Sequence, residues 1–69
     1  MTYSELTRKL RRLGCVYVRQ AKGSHEIWAN DKTGSTSPIP RHGNRDIPPG
    51  TLQRIIRNLG ISRADLDEA

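Results

Sequence analysis

The chain has 69 residues, one Cys and no Phe, and it carries a net charge of +5 from 12 Lys and Arg against 7 Asp and Glu. That length allows one domain, residues 1–69, and leaves no room for a separate cofactor-binding or regulatory half. A lone Cys15 excludes the internal disulfides on which small secreted domains depend, so a reducing, cytoplasmic setting is expected.

Leu, Ile and Val together number only 14, so the core is thin, and the spacing of these residues decides whether the chain folds. Apolar runs are too short to span a membrane, and none is expected to. Residues 1–63 hold all twelve cations and four of the acids, a net +8, with Asp65, Asp67 and Glu68 following as an acidic tail. Such a density favours a polyanionic partner, although the same charge also serves solubility alone.

Thr2 and Glu5 have the spacing of a capping box, and Leu6, Leu10 and Leu13 recur at i, i+4 and i+7 ahead of Gly14. The spacing predicts a short amphipathic helix closed by a left-handed glycine. Its outer face carries Arg8, Lys9, Arg11 and Arg12, the later cations well placed against the helix dipole. From Cys15 to Gln20 the period drops to two, and Val16 and Val18 alternate with Tyr17 and Arg19 as in a half-buried strand. Ala21, Lys22 and Gly23 read as a turn. Residues 24–30 alternate again, with His25, Ile27 and Ala29 on one face and Ser24, Glu26 and Trp28 on the other.

Residues 31–34 turn the chain back, and residues 35–39 return as a third strand. Pro38 and Pro40 lack ladder donors, so that strand lies at an edge or ends there. Residues 41–47 read as a loop. Pro48 and Pro49 then suit a helix start, and Leu52, Ile55, Ile56 and Leu59 form an apolar stripe stopped by Gly60. Ser62 with Asp65 marks a last short helix through Leu66. The order predicts an α+β fold: a two-layer α-β-β-β-α domain with a three-stranded antiparallel sheet and the helices on one face.

Cys15, His25 and His42 do not approach the spacing of a zinc site, and the glycines stand singly at element boundaries, without a nucleotide-binding or nucleophile-elbow motif. No metal and no cofactor are expected. The distinctive stretch is Arg19-Gln20-Ala21-Lys22-Gly23-Ser24-His25. It condenses cations, a glycine, a hydroxyl and an imidazole onto one turn, a grouping suited to a phosphate. His25 alone in that stretch exchanges protons near neutral pH. From the residues alone, a hydrogen-bonded surface histidine and a catalytic one both remain open.

The run Arg-Gln-x-Lys-Gly-Ser-His at 19–25, Ile-Pro-x-His at 39–42 and Ile-Pro-Pro-Gly-Thr-Leu at 47–52 closely resemble the HicA toxin family over nearly the whole chain, from the first helix to Leu66. The resemblance implies a fold similar to the double-stranded-RNA-binding domain and the activity of a ribosome-independent mRNA interferase, a metal-independent endoribonuclease. It also implies neutralisation by a HicB antitoxin and places the family's catalytic histidine at His25.

Arg19, Lys22, Gly23, Ser24, Arg11, Arg12 and His42 are then the expected substrate-binding residues. His42 is also a candidate acid, with a loop histidine bonded to backbone as the plainer reading. Few aromatic residues are present for base stacking, so weak sequence selectivity is expected, and Trp28 is expected to pack at the sheet or at the antitoxin surface. A non-catalytic RNA-binding module on the same fold is the alternative.

Overall fold

The computed structural model describes residues 1–41, 43 and 45–69. The first leucine stripe forms α1, Tyr3–Arg12, with Leu6 and Leu10 fully buried. Thr2 caps it by accepting the Glu5 N–H at 3.2 Å. The Glu5 carboxylate accepts the Thr2 hydroxyl instead of returning to the cap backbone, so only half of a capping box is made. Gly14 then takes the left-handed conformation that turns the chain into the sheet.

The sheet contains β1 (Cys15–Gln20), β2 (His25–Asn30) and β3 (Thr36–Pro40), antiparallel and in that order. Arg41 N–H donates to Ser24 O, and Asn30 N–H donates to Ser35 O. Odd-numbered residues of β3 therefore face the ladder, while Pro38 and Pro40 stand opposite Ile27 and His25 at positions that need no donor. β3 is the predicted edge strand, and it runs through Pro40.

The final stripes form α2 (Pro49–Asn58) and α3 (Arg63–Glu68). Pro49 occupies the first helical position of α2, and Ser62 caps α3 by accepting the Asp65 N–H at 3.0 Å. Both longer helices cover one face of the sheet, as their apolar stripes require. Tyr3 of α1 reaches Glu26, the Leu59 carbonyl at the end of α2 accepts from Asn30, and Asn58 donates to Ser37. Between the layers lie Leu6, Leu10, Cys15, Trp28, Ile39, Ile47, Leu52, Ile55, Ile56, Leu59 and Leu66.

One expectation needs correction. In β1 only Cys15 is buried; Val16 and Val18 are 44% and 50% exposed. β1 is an edge strand whose ladder slips between Tyr17 and Arg19, and Val16 shares with Ala29 a face that no helix covers. The loop that follows β3 is tied down at its end. Ile47 is buried, and its N–H donates to Met1 O at 2.8 Å.

Candidate active site at a hairpin tip

The turn between β1 and β2 is built by local backbone chemistry. The His25 N–H donates to Lys22 O at 3.4 Å, with Gly23 at φ +67° and Ser24 at no positive φ, the sign pattern of a type II′ turn. The Ala21 N–H donates to His25 O at 2.9 Å and closes the tip. No heavy atom lies within 4 Å of where a Gly23 side chain would start, so its left-handed φ, and not crowding, calls for glycine. The Gln20 side-chain amide donates to Gly23 O at 3.1 Å and braces the turn from within.

Lys22, Gly23, Ser24 and His25 are consequently exposed together, with Arg19 on the strand leading in. On the far side, Arg41 N–H bonds Ser24 O at 2.8 Å and fixes the tip to β3. His25 falls on the face of Ile27 and Ala29, opposite the buried Glu26 and Trp28. Its imidazole therefore stands at the end of the open sheet face, away from the helices.

The helix cations lie elsewhere. Arg11 stacks over the Trp28 ring at 5.1 Å, and Arg12 donates to the Ala69 carbonyl at 3.3 Å. α1 ends beside Cys15, which pairs with Asn30, at the opposite end of the β1–β2 hairpin from His25. The structure thus brings Arg19, Lys22, Gly23, Ser24 and His25 to one tip and does not bring Arg11 or Arg12 there. His42 lies outside the described residues. Trp28 packs inside the sheet-helix core, the first of its two expected places.

Sequence reasoning assigned no role to the acid beneath this tip. Glu26 is 4% exposed, and its Oε1 accepts both the Tyr3 hydroxyl at 2.5 Å and the Trp28 indole N–H at 3.1 Å. Its Oε2 lies 3.8 Å from an Arg41 guanidinium nitrogen, and that guanidinium sits over the Tyr3 ring at 5.6 Å. Burial, with the hydrogen bond and charge of Glu26, pushes the Tyr3 hydroxyl up to about 12, against the opposing charges of Arg41 and Arg11. Its neighbour in sequence, His25, is fixed by its own main-chain bonds to Lys22 and Ala21. Alternation placed Glu26 and Trp28 on one face, but nothing in the pattern said that this face turns inward.

The family described as HicA toxin of bacterial toxin–antitoxin matches residues 3–61. No curated protein matches the chain. No solved structure matches it.

Proposed function

The chain belongs to the HicA toxin family of bacterial toxin–antitoxin systems, and from that membership we propose that it is an mRNA interferase, a metal-independent endoribonuclease working through His25 and neutralised in the cytoplasm by a HicB-type antitoxin. The observation that carries this reading is the exposed imidazole of His25 at a tip fixed by main-chain bonds on both sides. Such a base meets a polymer without first rearranging the fold.

In this mechanism neutral His25 takes the proton of a ribose 2′-OH. The oxygen attacks the adjacent phosphorus, and the 5′-oxygen leaves with a proton returned by imidazolium or water. Lys22, Arg19 and the backbone N–H groups around Gly23 and Ser24 stabilise the charge gathering on the phosphoryl oxygens. His42 is a second candidate for the acid. Arg11 and Arg12 extend the basic surface on the helix side and add longer-range attraction for RNA. The antitoxin is proposed to cover the His25 tip, favoured by charge complementarity with the basic body.

The test incubates wild type and His25→Ala with a defined RNA in EDTA, maps the product ends and measures RNA binding in parallel. Cleavage by wild type alone, at matched affinity and with 2′,3′-cyclic phosphate ends, is expected. Binding without cleavage by either protein would leave an RNA-binding module on the same fold. Ordinary 3′-hydroxyl ends would exclude attack by the 2′-OH.

A further inference from the structure

Gln20 belongs to the tip yet has no role in the reaction as derived so far. It pairs in register with Glu26, whose side chain is buried under the helices, so Gln20 projects on that same face of the sheet. From there its amide donates to Gly23 O at 3.1 Å. The Gly23 carbonyl and the Ser24 N–H belong to one peptide unit, and in a trans peptide the two point in opposite directions. A carbonyl drawn toward the helix-bearing face therefore sends the Ser24 N–H to the open face, where His25 lies.

We propose that Gln20 is a positioning residue: its side-chain amide locks the Gly23–Ser24 peptide so that the Ser24 N–H forms an anion-binding donor beside His25, aimed at a non-bridging oxygen of the scissile phosphodiester. Type II and II′ turns differ from types I and I′ chiefly by rotation of this central peptide, so a turn of otherwise similar path can present either its carbonyl or its N–H to the ligand. A carbonyl on the open face would repel phosphate; the Gln20 bond holds it on the other side. The residue acts through the peptide and touches no substrate.

This inference rests on the ribonuclease reading for its kinetic consequence and on geometry alone for its binding consequence, and the test separates the two. The full chain, labelled with nitrogen-15, is titrated with a DNA oligonucleotide, which lacks the 2′-OH and is not cut. The proteins are wild type, Gln20→Met, which keeps the length and loses the donor, and Gln20→Lys, which restores a donor.

In wild type the Ser24 amide resonance is expected to move on titration. In Gln20→Met that response should be largely lost, and kcat on RNA should fall about tenfold, with KM within about twofold and an unchanged thermal midpoint. Gln20→Lys should recover the amide response and part of kcat. A Ser24 amide that ignores the oligonucleotide in wild type overturns the proposal, as does a Gln20→Met protein with wild-type response and kcat. A lower kcat with a lower thermal midpoint and an intact Ser24 response assigns Gln20 to hairpin stability instead, and also overturns it. If no variant cuts RNA while the Ser24 response still depends on Gln20, the ribonuclease reading fails and the anion-binding peptide stands.

Discussion

A carboxylate nearly sealed from water must be matched by donors, and Glu26 is matched by a phenol, an indole N–H and the edge of a guanidinium. Truncating it strands the Trp28 and Tyr3 donors in a dry layer. Glu26→Ala is expected to lose about 2–4 kcal/mol in chemical denaturation, whereas Glu26→Gln, which keeps an acceptor oxygen, should lose less. The partner hydroxyl gives this network a pH signature. The folded-state pKa of Tyr3, about 12, lies above the ordinary 10.0. Its contribution to stability is thus complete below pH 10 and is lost as pH rises through 12. Stability followed from pH 9 to 12 should fall in wild type, and Tyr3→Phe should flatten that part of the curve. Cys15 is governed chiefly by burial: desolvation raises its thiol against the weaker pull of Lys32, so it should resist alkylation until the chain unfolds.

The same residues show how far the pattern of β2 could be read. Alternation separated His25, Ile27 and Ala29 from Glu26 and Trp28 correctly, but hydrophobicity suggests the wrong inside, because the aliphatic pair looks out. The indole decides: burying one large aromatic outweighs leaving Ile27 and Ala29 half covered. Glu26 follows it inward with the Trp28 indole N–H and the Tyr3 hydroxyl as donors, and no local window contains its pairing with Tyr3, 23 positions earlier.

Among the elements, helices and their caps were the most legible parts, since Thr2, Gly14, Pro49 and Ser62 act over a single turn and the leucine stripe of α1 and the leucine–isoleucine stripe of α2 over two. β1 was less so, because an edge strand with a bulge loses the coupling between alternation and burial. At the tip between β1 and β2, Gly23→Ala adds only conformational strain, there being no neighbour to strike. It should cost about 1–2 kcal/mol by thermal or urea unfolding, with Gly23→Asn nearer wild type. At the other end of the molecule, Lys9 and Arg12 donate to the carbonyls of Leu66 and Ala69 and hold the C-terminal end of α3. Replacing both with Ala should speed amide exchange in α3 while leaving α2 protected. That anchorage, 57 residues apart in sequence, answers a question composition left open: part of the basic face of α1 is spent within the fold.

At the scale of the whole molecule, two groups of cations stand apart: Arg11 and Arg12 on α1, and Arg19 and Lys22 at the His25 tip. Binding to single-stranded RNA should weaken with salt at a log–log slope of about −0.7 for each phosphate neutralised. Arg19→Ala with Lys22→Ala should reduce that slope by roughly two such increments, and Arg11→Ala with Arg12→Ala should reduce it less, as measured by equilibrium binding across a salt series. A slope indifferent to Arg19 and Lys22 would move the RNA to the helical side. The tip was legible as a motif, since its residues are contiguous. Its face was not, because that depends on which side the helices choose.

The imidazole of His25 is exposed and outside the core, and the main-chain bonds of His25 do not depend on it. On the proposed ribonuclease reading, a His25→Ala protein is therefore a blank cartridge: harmless in itself, with the same outline as the live round. Produced in excess inside a cell that holds the cognate pair, it should occupy the antitoxin and release the active copies. Growth arrest caused by a protein that cannot cut RNA would be the sign of that competition.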